Sequence, residues 1–94
     1  MAAWRKTLKR LLVDTDPHCR YRYEELAAIL AALQFEVAPS GGSHRKWRRK
    51  LTNGLTAYVG LKKDDRPLKG AYVREMIAEL RKHGLIPPDF ERDA

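Results

Sequence analysis

One histidine of this chain stands directly before its densest run of cations. His44 follows Gly41-Gly42-Ser43 and precedes Arg45-Lys46-Trp47-Arg48-Arg49-Lys50. Histidine changes its charge closest to neutral pH, so it can take up or release a proton there. Arginine and lysine bind phosphate groups. Together these residues predict a site that holds a polyanion and can act on it by acid–base chemistry.

The positive charge of the chain is concentrated around this histidine. The 94 residues carry a formal net charge of +7, and residues 42–69 alone hold nine lysines and arginines against Asp64 and Asp65. A cluster of this kind indicates a nucleic acid or another anionic partner. The alternative is a solvated basic face that does no more than keep the protein in solution.

Length and composition exclude several other classes of protein. A chain of 94 residues forms one domain with one modest core. The longest unbroken apolar run, Leu26 to Leu33, is far shorter than the roughly 20 residues of a membrane span. The single cysteine, Cys19, cannot form an internal disulfide. We expect a cytoplasmic protein that does not bind a membrane and needs neither a metal ion nor another cofactor.

Apolar spacing predicts the elements that position the site. Three segments repeat apolar residues at helical intervals and predict helices: 4–13, 23–33 and 69–83. Three shorter segments predict strands: 35–38, 43–51 and 55–61. In the third strand, the residues expected to point inward are Leu55, Ala57, Val59 and Leu61. Asn53-Gly54 predicts a type I′ turn between the last two strands.

This order of elements predicts an α+β fold. Three antiparallel strands would form a sheet with two helices on one face, in the order α-β-β-β-α, and an additional helix would precede them. Side chains alternate along a strand, so placing Trp47 against the helices leaves His44 and Lys46 on the open face. Arg48 and Tyr58 would share that face. We expect a helical extension over residues 1–20, one domain over 21–86 and a polar tail over 87–94.

Four motifs occur along the chain in a recognisable order. They are Tyr21-Arg22-Tyr23-Glu24-Glu25-Leu26, the segment from Leu30 to Val37, Gly42-Ser43-His44 with Trp47 shortly after, and Pro67-Leu68-Lys69-Gly70-Ala71-Tyr72-Val73 with Ile77. In this order the motifs resemble the HicA toxin family, small mRNA interferases with a double-stranded-RNA-binding-domain-like fold. The N-terminal helix is similar to that of a longer subgroup of the family.

The resemblance implies a function for the histidine. It implies a toxin of a toxin–antitoxin system that cleaves single-stranded mRNA without a metal ion, with His44 as the catalytic residue and a HicB-like antitoxin as partner. A neutral histidine is a suitable base for deprotonating the RNA 2′-OH. The residues expected to contact RNA are Gly42, Ser43, Lys46, Arg48, Tyr58, Lys62, Lys63 and Lys69. Many family members have a proline and a second histidine where this chain has Gly60-Leu61-Lys62-Lys63.

Two other functions fit the same residues. The first is a non-catalytic RNA-binding module of the same fold, in which His44 has no chemical role. The second is a protein-interaction module whose basic surface docks an acidic partner. Cleavage of RNA by the pure protein distinguishes the enzyme from both alternatives.

Overall fold

Three helices and three strands make up the structure, a computed structural model that describes residues 3–13, 21–38, 44–63, 67–68 and 70–87. The helices are α1 (Ala3–Val13), α2 (Tyr23–Ala32) and α3 (Gly70–Lys82). The strands are β1 (Glu36–Val37), β2 (His44–Lys50) and β3 (Thr56–Lys62). This order confirms the predicted α+β fold with an N-terminal helix.

The strands form one antiparallel sheet in the order β1-β2-β3. Strand β2 lies in the middle and contributes its cations to the centre of the sheet. In the register of β2 with β3, His44 is opposite Lys62 and Arg48 is opposite Tyr58. Glu36 of β1 lies opposite Arg48 on the other side.

A single apolar core joins the helices to one face of the sheet. Its buried residues include Leu8 and Leu11 of α1, Leu26, Ile29 and Leu30 of α2, Trp47, Val59 and Leu61 of the sheet, and Met76 and Leu80 of α3. The helix α1 therefore packs on the rest of the chain instead of standing apart from it. Among the described residues, no helix is long and apolar enough to cross a membrane.

The hairpin between β2 and β3 differs from the predicted type I′ turn. That turn needs positive φ at both central residues, but Gly54 has φ +85° and Asn53 is not among the described residues with positive φ. The Leu51 N–H donates to the Leu55 carbonyl at 2.9 Å, which leaves a loop of residues 52–54. Leu55 therefore precedes β3 and is 57% exposed, so the prediction that it points inward is wrong.

The helices α2 and α3 end in the same backbone arrangement. In each, two backbone hydrogen bonds of 2.9 to 3.1 Å close the last turn, as in a Schellman motif. The residue after the cap is left-handed, with φ +68° at Gln34 and +64° at Gly84. Glycine is the usual residue there. Gln34 is the only non-glycine with positive φ in the described part of the chain.

Candidate nucleic-acid interface

The face of the sheet that turns away from the helices is cationic. Alternate residues of β2 are exposed, and they are His44, Lys46, Arg48 and Lys50. The residues between them are buried or half-buried, with Trp47 only 8% exposed. The predicted division of this strand into an open and a packed face is therefore confirmed. We refer to the surface formed by alternate residues of β2 and their cross-strand partners as the open face.

His44 begins β2 and has Lys62 directly opposite on β3. Residues paired in this way point to the same face, with Cβ atoms about 4.5–5.5 Å apart. His44 is exposed and Lys62 is half-buried. The register therefore places the imidazole of His44, which can accept a proton, on the same face as the positively charged ammonium group of Lys62. This pairing depends on the length of the hairpin loop.

Lys46 and Tyr58 are in contact on the open face. The Lys46 Nζ lies 4.5 Å from the centre of the Tyr58 ring, within the distance of a cation–π interaction. Lys46 can lean over the ring because its own cross-strand partner, Gly60, has no side chain. Tyr58 remains 48% exposed, and an exposed aromatic ring beside cations is a platform on which nucleic-acid bases stack.

Gly60 leaves a gap in the open face between Tyr58 and Lys62. It has no positive φ, and a Cβ built there would meet no atom within 4 Å. Neither the backbone conformation nor the packing of the chain requires glycine at this position. Glycine inside a strand often marks a place where a ligand approaches closely.

Four of the residues expected at the site lie outside the two paired strands or outside the described residues. Lys63 is exposed directly after β3. Gly42, Ser43 and Lys69 lie outside the residues that the structure describes. The other expected residues, His44, Lys46, Arg48, Tyr58 and Lys62, all belong to the two paired strands.

The structure also places at the site several residues that the sequence interpretation did not include, Glu36 and Gln34 among them. Glu36 is exposed on β1 and lies opposite Arg48, which puts a carboxylate on the open face. The residues that line an open depression include the cations Arg48, Arg49 and Lys50 together with Gln34, Glu36 and Tyr58. The sequence shows an acidic residue in a predicted first strand, but its position opposite Arg48 depends on the strand register.

We found no match to this chain among protein-family models, curated proteins or solved structures. The chemistry of the open face is therefore the guide to what the protein does. That face offers a histidine beside a lysine, further cations along the same strand and one exposed aromatic ring.

Proposed function

We propose that this protein is an endoribonuclease, a toxin of the HicA type, that binds single-stranded RNA on its open face. The supporting observation is the position of His44, exposed at one end of the cationic strand β2 and in register with Lys62. No metal or cofactor takes part in this proposal. The resemblance to HicA toxins assigns His44 the same catalytic role that the chemistry of its surroundings favours.

The proposed reaction uses the 2′-OH of the RNA as the nucleophile. His44 takes the 2′-OH proton as general base, and the 2′-oxygen forms a bond to the adjacent phosphorus. The bond from phosphorus to the 5′-oxygen breaks, and the leaving oxygen takes a proton from water or from a lysine. The proton held by His44 then neutralises the hydroxide or the lysine amine that is left. The products are a 2′,3′-cyclic phosphate end and a 5′-hydroxyl end. Lys62 stabilises the negative charge that develops on the phosphoryl oxygens.

The rest of the open face holds the RNA strand. Lys46 and Arg48 lie along β2 from His44 and are exposed to bind phosphate groups. The half-exposed ring of Tyr58 stacks on a base. Binding of this kind tracks the RNA backbone and depends strongly on salt.

A direct test compares His44→Gln with a control, His83→Gln. His83 directly follows α3, and its Nε2 lies 2.7 Å from Oε1 of Glu79. Both variants are checked for folding by circular dichroism and for RNA binding by fluorescence anisotropy. We expect His44→Gln to bind RNA but to cleave it about 10²–10⁴-fold more slowly. His83→Gln should cleave normally, EDTA should not inhibit, and the products should carry cyclic phosphate ends.

Several results would contradict the proposal. A folded His44→Gln variant that cleaves at the wild-type rate excludes His44 as the base. Pure wild-type protein that binds RNA without shortening it indicates the non-catalytic RNA-binding module. Protein that binds no RNA but forms a complex with an acidic protein indicates the interaction module.

We also propose that an acidic protein of the HicB type inhibits the enzyme by covering the open face. Its carboxylates would contact Arg48 on that face or the exposed Lys63 directly after β3, whereas Arg45 is half-buried on the packed side. Complementary charge accelerates association, so the association rate should fall steeply as salt is raised. Co-expression with the product of the neighbouring gene, followed by pull-down and an RNA cleavage assay, tests this. A complex that cleaves RNA at the rate of the free protein contradicts inhibition.

A further inference from the structure

Glu36 is an unexpected residue for a surface that binds phosphates. It is exposed on β1, in a row across the sheet with Arg48 and Tyr58. A carboxylate here repels the RNA backbone and weakens its binding. In the described part of the chain, Glu36 and Arg48 form no ion pair within 4.0 Å, so neutralising this arginine does not account for the carboxylate.

The depression beside Glu36 has the groups that recognise a single base. The carboxylate of Glu36 can accept two hydrogen bonds, and the amide of Gln34 can donate as well as accept. Tyr58 borders the same depression with an exposed ring. Proteins that read single-stranded RNA stack a base on an aromatic ring and bind its Watson–Crick edge with polar groups.

The backbone at Gln34 gives a second reason to assign a ligand to this depression. Gln34 has φ +68° at a position where the equivalent residue after α3 is Gly84. A left-handed conformation costs an ordinary residue about 1–2 kcal/mol. Such strained positions cluster at functional sites. The side chain retained here lines the depression.

We propose that this depression binds one guanine base of the RNA, an inference that rests on the proposed RNA-binding function. Guanine is the RNA base whose Watson–Crick edge presents two adjacent donors, N1–H and the N2 amino group. Both donate to the carboxylate of Glu36 in charge-assisted hydrogen bonds. The Gln34 amide donates to the guanine O6, and the Tyr58 ring borders the face of the base.

The depression lies at a distance from His44 that lets it select where the RNA is cut. Arg48, in the row of Glu36, is four residues along β2 from His44, which corresponds to about 13 Å. A guanine held there positions a nearby phosphate at His44. Base recognition and cleavage thus take place at two points of one strand.

The test measures binding of fluorescent 2′-O-methyl oligouridines, which lack the nucleophile and so stay intact. Each probe contains one central guanine, inosine, adenine or uracil. We expect the guanine probe to bind about tenfold more tightly than the uracil and adenine probes. Inosine lacks the N2 amino group and should lose most of this preference.

Glu36→Gln and Glu24→Gln make the same change in charge, and Glu24 is exposed in the first turn of α2, away from the sheet. Glu36→Gln should remove the preference for guanine, because one of the two acceptor oxygens of the carboxylate is lost. Binding of the uracil probe should not weaken. Glu24→Gln should keep the preference.

Equal affinity of the wild-type protein for all four probes overturns the guanine site and leaves the RNA-binding function intact. A guanine preference that survives Glu36→Gln also overturns it. Failure to bind any probe overturns the proposed function as well.

Discussion

His44 and Lys62 face each other across the β2–β3 ladder, at the end of the sheet away from the hairpin. Each is the terminal residue of its strand. The pairing places the side chains of both residues on the same face of the sheet. If His44 is the base of the proposed cleavage reaction, this arrangement favours Lys62 over the other cations of the open face as the residue that stabilises the transition state.

Lys62→Ala should therefore slow the chemical step more than it weakens binding. Removing one group that stabilises developing charge costs about 10²–10³-fold in rate. Single-turnover cleavage at saturating RNA measures this step, and Lys62→Arg should restore part of the rate because it retains the charge. Lys50→Ala, at the opposite end of β2, is the control and should change affinity only. Equal rate losses in Lys50→Ala and Lys62→Ala would contradict a special role for Lys62.

The pairing of His44 with Lys62 could not be predicted because the turn between the two strands was predicted incorrectly. A two-residue turn at Asn53-Gly54 would place Tyr58 opposite Arg49, on the packed face of the sheet, whereas the apolar alternation of the strand predicts Tyr58 on the open face. The loop of residues 52–54 instead places Tyr58 opposite Arg48, on the open face. A slip of one residue moves every side chain of a strand to the other face. The burial of Val59 and Leu61 against the core fixes the observed register.

The faces of the strands, in contrast, could be predicted from the residues alone. Lys46 and Arg48 alternate with Trp47, and an indole is more stable when buried than a lysine or arginine side chain. Arg49 lies on the packed side with Trp47, as the same alternation predicts, and donates from Nη1 to the Leu33 carbonyl at 3.1 Å. Its long side chain satisfies the end of α2, and the sequence shows no sign of this contact. The position of Glu36 opposite Arg48 likewise could not be predicted, because it depends on the register of β1 with β2.

Salt dependence reports the phosphate contacts of the open face. About four contacts to a single strand predict a slope near −3 for the logarithm of the binding constant against that of the salt concentration. Lys46→Ala should weaken binding to all sequences and flatten the slope by about 0.7. Lys6→Ala, which removes an exposed lysine of α1, should leave the slope unchanged. Binding independent of salt would exclude a backbone-tracking interface.

Gly60 offers a test of whether the gap in the open face is needed by RNA. Valine favours strands, and a Cβ at this position meets no atom within 4 Å, so Gly60→Val should raise stability by about 0.5–1 kcal/mol. The same side chain fills the gap beside Lys46 and should reduce RNA binding and cleavage at least tenfold. Urea unfolding and a cleavage assay measure the two effects. A stabilised variant with full activity would show that RNA does not approach this strand closely.

The two helix ends give a stability prediction with an internal control. Gln34→Gly relieves a left-handed φ of +68°, and we expect a net gain of about 1 kcal/mol after the greater unfolded-state entropy of glycine is subtracted. For a domain of this size the midpoint of thermal unfolding should rise by about 4–8 °C. Gly84→Ala makes the reverse change at an equivalent position, where a Cβ meets no atom within 4 Å. It should lower stability by a similar amount.

Two substitutions of Gln34 separate the energetic cost of its backbone conformation from the use of its side chain. Gln34→Gly should gain stability and lose part of the preference for guanine, because the amide that lines the depression is removed. Gln34→Ala keeps the strained backbone and removes the same amide, so it should lose the same part of the preference without gaining stability. Calorimetry and the probe-binding assay together measure both properties. A Gln34→Gly variant that gains stability and keeps the full preference would limit base recognition to Glu36 and Tyr58.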